Sequence, residues 1–268
     1  MRLTLTEEKA TLLATLYGKA LDAKSPHPIL GDRMASEVIG RIDHDFTKTG
    51  ITPGSANAVA LRARFMDRWA GEFLDRHPEA IVLQPGCGLD TRVFRMDPPP
   101  SIRWYDLDYP EVIELRERLF PGRPGYAMIG SSATDLDWLE RVPDDAPVLV
   151  IAEGLLYYLD PAKGPELLRA VVERFPGGQF VFDALSRTGL RLQKLNKPVQ
   201  KAGATVHWGV EGPAELEAIH PRLRCVSAVS AFEIDGFADL SMTHRMSAWI
   251  VKALPGMKRS AAFYRLEF

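Results

Sequence analysis

The chain has 268 residues, a formal net charge of −2, and 46% hydrophobic and 25% charged residues, proportions that suit one large α/β domain with a sizeable core. No basic surplus points to a nucleic-acid partner, and the two separated cysteines, Cys87 and Cys225, exclude a disulfide framework. No Cys/His cluster has metal-ligand spacing, the first nine residues lack the apolar core of a signal peptide, and no apolar run approaches about 18 residues, so a cytoplasmic protein without metal or membrane partner is expected.

In chain order, residues 6–21 have helical spacing, with Thr6 as cap and Glu7 and Glu8 in the first turn. The loop Ser25-Pro26-His27-Pro28 leads to a helix near 32–42; residues 43–54 read as irregular, and 55–76 as a long helix carrying Arg62, Arg64, Asp67 and Arg68, stopped by Pro78. Regular alternation then begins. Strands are expected at 80–84, 101–107, 126–130, 147–152 and 179–184, separated by helical segments at 90–96, 110–119 and 161–174, the last capped by Asp160. Strands alternating with helices imply parallel pairing through right-handed crossovers. The tail departs from this pattern: 224–232 and 246–253 are two strand-like runs without a normal helix between them, which predicts an antiparallel hairpin at the sheet edge. Residues 187–212, with Arg187, Arg191, Lys194, Lys197 and Lys201 ahead of His207-Trp208-Gly209, read either as a substrate lid or as a solvated amphipathic helix and loop.

Val82-Leu83 enters the turn Gln84-Pro85-Gly86-Cys87-Gly88, and Asp90 follows where a helix begins. Downstream, Trp104-Tyr105-Asp106-Leu107-Asp108 ends the second strand with acid at its tip. Glycines let backbone approach a ligand, and a carboxylate about 20 residues on accepts hydrogen bonds from ribose hydroxyls, so the pair describes a nucleotide-type cofactor across two strand tips. The third glycine of a dinucleotide fingerprint is missing. S-adenosylmethionine, a nucleoside cofactor without a pyrophosphate, fits better. Cys87 reads as a small residue that suits the turn rather than as a nucleophile.

Six segments occur in order: Pro28-Ile29-Leu30-Gly31-Asp32, Arg62-Ala63-Arg64-Phe65-Met66-Asp67, Pro85-Gly86-Cys87-Gly88-Leu89-Asp90-Thr91-Arg92, Asp106-Leu107-Asp108-Tyr109-Pro110-Glu111-Val112-Ile113, Asp135-Leu136, and Ala152-Glu153-Gly154-Leu155-Leu156-Tyr157-Tyr158-Leu159. Together they resemble the leucine carboxyl methyltransferase family, and within it the bacterial branch of tetracenomycin-type polyketide O-methyltransferases, from about residue 15 to 253. The resemblance implies an α/β, Rossmann-like class I methyltransferase fold: a mostly parallel seven-stranded sheet ending in an antiparallel hairpin, under an N-terminal helical cap. As one domain it divides into a cap (1–76), a cofactor-binding core (77–186), the lid (187–212) and a C-terminal helix with the edge hairpin (213–268).

The resemblance also carries site roles. Gly86 and Gly88 match the cofactor loop, Asp108 the ribose-binding acid, and Asp135 with Leu136 the pair that contacts adenine. Glu153 matches an acid on the methionine part, Arg62 the arginine that holds the cofactor carboxylate, and Tyr158 a tyrosine beside the transferred methyl group. Asp106 is the second choice for the ribose, since it shares a strand face with Asp108. Thr91, Arg92 and Arg95 are expected to brace the loop by salt bridges; Lys19 either matches a basic family position near the N-terminus or, the preferred reading, is a surface lysine. His27 stands where the family usually has Asp before Pro28. The implied activity is S-adenosylmethionine-dependent O-methylation of a carboxylate or hydroxyl on a small molecule, by a monomer or homodimer. His207 is the expected base if the acceptor is a hydroxyl. The competing readings are a protein C-terminal carboxyl methyltransferase, a non-catalytic cofactor binder and a dinucleotide oxidoreductase.

Overall fold

Strands β1 (Ile81–Pro85), β2 (Arg103–Asp108), β3 (Tyr126–Gly130), β4 (Val148–Ala152), β5 (Gly178–Leu185), β6 (Arg224–Ser230) and β7 (Ala261–Glu267) form one sheet in the order β3-β2-β1-β4-β5-β7-β6. The computed structural model describes residues 10–193, 205–236 and 257–268. The first five strands are parallel, and β7 runs antiparallel to both β5 and β6. The centre of the sheet follows from composition. Every residue of Ile81–Pro85 and Val148–Ala152 is buried, as strands covered by helices on both faces require.

Among the described residues the α-helices are α1 (Ala10–Ala23), α2 (Arg33–Ile39), α3 (Pro53–Arg76), α4 (Arg92–Met96), α5 (Pro110–Leu119), α6 (Lys163–Arg174), α7 (Arg187–Gln193) and α8 (Pro213–Glu217). On one face, Leu83, Val150 and Phe180 pack against Leu167, Leu168 and Val171 of α6. On the other, Val82, Leu149 and Val181 meet Leu61, Phe65 and Trp69 of α3. A third cluster joins Leu13 and Leu16 of α1 to Val38 of α2 and to Leu115 and Leu119 of α5. Helix α3 starts with Pro53 at its first position and a capping box, Thr52 Oγ1 accepting from the Ser55 amide while Ser55 Oγ accepts from the Thr52 amide.

Chain order builds β1, β2 and β3 outward in one direction, then returns to place β4 on the other flank of β1. That reversal opens a crevice at the carboxyl ends of β1 and β4, where ligands of such sheets bind. Helices α1 and α3 close over it.

The tail differs from expectation. The partner of β6 is β7, so the second antiparallel strand lies at Ala261–Glu267 and fills the place between β5 and β6. Ala262, Phe263, Tyr264 and Leu266 are buried there, as an interior strand demands. The expected run 246–253 lies outside the described residues, as do Lys194, Lys197 and Lys201 of the expected lid. The described part of that lid is tied down. The amides of His207 and Trp208 donate to the Tyr157 carbonyl at 2.6 and 3.3 Å, and the Val210 amide donates to Leu185 at 2.8 Å. Among the described residues no helix is long and apolar enough to cross a membrane.

Candidate active site

A cavity of about 600 Å³ occupies the crevice, within the range that holds a cofactor-sized molecule. Arg62, Gly86, Gly88, Asp108, Glu153 and Tyr158 all line it. The turn after β1 is made by Gly86 at φ 64° and Gly88 at φ 50°, left-handed conformations that residues with a Cβ rarely adopt. The Gly88 amide donates to Asp108 Oδ2 at 2.7 Å, so the glycine turn and the acid at the β2 tip are joined directly. Asp108 Oδ1 accepts from the Tyr109 amide at 2.8 Å. Burial pushes the Cys87 thiol well above its ordinary range, which removes it as a thiolate nucleophile.

Behind the turn lies a buried charge network. Lys19 Nζ sits 2.6 Å from Asp90 Oδ1 and 3.9 Å from Glu153 Oε1. Arg62 pairs with Glu153 at 3.1 Å and with Asp183 at 3.5 Å. Arg92 reaches Asp67, Asp90 and Glu153, and Arg95 reaches Asp67, Asp90 and Asp32. Isolated ions at this depth are costly, and close opposite charges with further hydrogen bonds make the burial tolerable. Burial alone would raise the Glu153 carboxyl, but Lys19, Arg62 and Arg92 outweigh it and hold it down to about 2. Asp90 is likewise held well below the ordinary range: burial opposes this, and Arg92, Arg95 and Lys19 prevail. Burial raises Asp183 despite the nearby Arg62.

Several expected residues lie elsewhere. Asp106 shares a strand face with Asp108 but sits two positions back, roughly 7 Å deeper. Its carboxylate is taken by Arg116, by Trp104 Nε1 at 3.0 Å and by Tyr126 Oη at 2.6 Å, so it is a structural counterion and not a second ribose ligand. Asp135 and Leu136 do not reach the cavity wall, which residues 131–134 form instead; Leu136 packs on the main core. His207 lines a separate cleft of about 370 Å³ with Trp208 and Pro161 and is not part of the wall of the cavity described above. Lys19, read as a surface residue, is 1% exposed and lines the cavity.

Thr91, Arg92 and Arg95 do brace the loop; Thr91 Oγ1 donates to Asp32, the cap of α2. The loop that follows His27 is held by Asp22, whose carboxylate accepts from the amides of Ile29, Leu30 and Gly31 at 2.7–2.9 Å. Sequence reasoning missed Asp183, although Phe180-Val181-Phe182-Asp183 repeats the signal that found Glu153, an apolar run ending in acid. It accepts from the Gly154 amide at 2.6 Å and so fixes the turn that carries Glu153. Nothing in the periodicity of α1 distinguishes Lys19 from a solvated lysine.

The arrangement suits an adenosyl cofactor ending in an amino acid: left-handed glycines where backbone must approach closely, an acid on the neighbouring strand tip, and adjacent Lys19, Arg62 and Glu153 for a zwitterion. Sheet order and crevice together define a class I methyltransferase fold. Solved structures share it: a protein from Thermobifida fusca described as a candidate methyltransferase (TM-score 0.58, 17% identity, 93% of each chain) and a DUF574 family protein from Streptomyces avermitilis (TM-score 0.60, 13% identity, 94% of this chain and 95% of the other).

The family model for leucine carboxyl methyltransferase matches residues 13–172. The tetracenomycin polyketide synthesis O-methyltransferase TcmP of Streptomyces glaucescens is 43% identical over 98% of both chains. The S-adenosyl-L-methionine-dependent methyltransferase dpfgK of Gibberella zeae is 34% identical over 83% of this chain and 82% of its own. The chain therefore belongs to the leucine carboxyl methyltransferase family, and with it to the S-adenosylmethionine-dependent methyltransferases.

Proposed function

We propose that this chain transfers the methyl group of S-adenosylmethionine to an oxygen of a small polyketide-type molecule. The observation that carries the reading is the Gly88–Asp108 junction in the wall of one cavity that Lys19, Arg62 and Glu153 also line. Full-length similarity to a polyketide O-methyltransferase supports the acceptor class.

When bound, S-adenosylmethionine supplies a methyl group on a cationic sulfur, open to in-line attack by an oxygen lone pair. The chain does the rest by holding and aligning. Asp108 would accept from the ribose hydroxyls, Lys19 and Arg62 would neutralise the carboxylate, and Glu153 would take the ammonium. Tyr158 offers an aromatic face to the cationic end. Alignment in a site screened from water is worth up to roughly 7–11 kcal/mol of a barrier. Membership of a carboxyl methyltransferase family favours a carboxylate acceptor, already ionised at neutral pH, over a hydroxyl that needs a base. In this reading the described residues 10–76 cap the core at 77–186, and Gln193 of the expected lid joins the cavity wall. Both cysteines are free, which suits a reducing cytoplasm.

The test is incubation with methyl-labelled S-adenosylmethionine and matched pairs of aromatic carboxylic acids and phenols. Label is expected on small molecules, and on acids in preference to phenols. Label appearing only on protein would overturn the small-molecule reading; transfer to phenols alone would overturn the preference for a carboxylate.

A further inference from the structure

Arg116, on α5, lies outside the cavity and is 0% exposed. Its Nη1 donates to two carbonyls of the glycine turn, Gly88 O at 2.9 Å and Asp90 O at 2.8 Å. Its Nη2 donates to Asp106 and, at 2.9 Å, to Tyr126 Oη, while Tyr126 Oη donates to Asp106 at 2.6 Å. The guanidinium lies over the Phe120 ring at 4.8 Å, and among the described residues Nε has no hydrogen-bond partner.

An ion pair with Asp106 would need only one edge of this side chain. The other edge is spent wholly on the turn. Gly88 is thereby held from both sides: its amide by Asp108, its carbonyl by Arg116, at the left-handed φ of 50°. A lysine at this position would keep the charge beside Asp106, but its single ammonium nitrogen replaces the two nitrogens that here serve the turn carbonyls and the Asp106–Tyr126 pair separately.

We propose that Arg116 is a positioning residue for methyl-donor binding, setting the Gly88–Asp90 turn at the distance from Asp108 that the adenosyl group requires. The proposal rests on the cofactor site described above. Arg222 provides a control, since its guanidinium also serves carbonyls (Val172, Phe175 and Pro176), and none of these lines the cavity.

The experiment compares adenosylhomocysteine affinity by calorimetry, thermal midpoints, and KM for each substrate in wild type, Arg116→Lys, Tyr126→Phe and Arg222→Lys. Displacing a support of a binding loop typically costs tenfold or more. Arg116→Lys is expected to weaken adenosylhomocysteine about tenfold and to raise KM for S-adenosylmethionine while leaving KM for the acceptor within about twofold. Tyr126→Phe, which loosens the same guanidinium without removing it, should weaken binding about threefold. Arg222→Lys should lower the thermal midpoint with unchanged affinity. Should Arg116→Lys not fold, Tyr126→Phe decides alone. Wild-type affinity in every folded variant of this pair, or an equal loss in Arg222→Lys, would overturn the proposal. Failure of the wild type to bind adenosylhomocysteine would instead overturn the cofactor site itself.

Discussion

Glu153 ends the fully apolar strand β4, where a lone carboxylate would be expelled or protonated, and Lys19, Arg62 and Arg92 keep it ionised. The depression has a sign that can be tested. A carboxyl whose folded pKa lies near 2, against an ordinary 4.5, stabilises the fold fully above the higher value and loses that contribution as pH falls toward the lower. Asp90 acts in the same direction, while Asp183 and Asp106, both raised by burial, act against it. Denaturant titrations between pH 5 and about 2.5 should therefore show stability falling, with a shallower fall in Glu153→Gln. Equal slopes in the two proteins would mean that the cations do not hold Glu153 as the geometry implies.

The short segment 205–210 shows how one element depends on another. Trp208 is buried against α6 at Gly164, where an added Cβ would stand 2.2 Å from the indole ring. Gly164→Ala should cost about 1–3 kcal/mol by overpacking. The cost should shrink markedly when Trp208 is also replaced by leucine, a coupling that a double-mutant cycle measures. Additive effects would show that the ring is not what Gly164 accommodates. The periodic elements were legible because local pattern determines them: α5 at Pro110–Leu119 and β3 at Tyr126–Gly130 fall where apolar spacing and a leading proline put them. The hairpin was not legible in the same way. The run 261–267 has strand-like composition, but nearness along the chain does not show that it lies between β5 and β6. The burial of Phe263 and Leu266 between two neighbouring strands is a tertiary fact.

At the scale of the molecule, the reversal of strand order at β1 joins features far apart in sequence: the turn at Gly86–Gly88, the acids at Asp108 and Glu153, and cations from the cap at Lys19 and Arg62. Asp108 and Glu153 were readable because each stands at or just past a strand end, and Asp183, although inside β5, likewise follows a run of apolar residues. Asp106 misled because alternation fixes a face but not a depth. Lys19 was hidden because only the packing of α1 over the crevice turns an ordinary helix lysine into a buried partner of Asp90. His207 was chosen by elimination along the chain, and the backbone bonds to Tyr157 carry it to another surface.

The measurement closest to the central claim is a calorimetric titration of wild type and Asp108→Ala with adenosylhomocysteine and, separately, NADH. Wild type should bind adenosylhomocysteine and ignore NADH, and Asp108→Ala should bind at least about tenfold more weakly, the loss of a charged acceptor for two hydroxyls. Undiminished affinity in Asp108→Ala, or no binding by the wild type, would contradict the account.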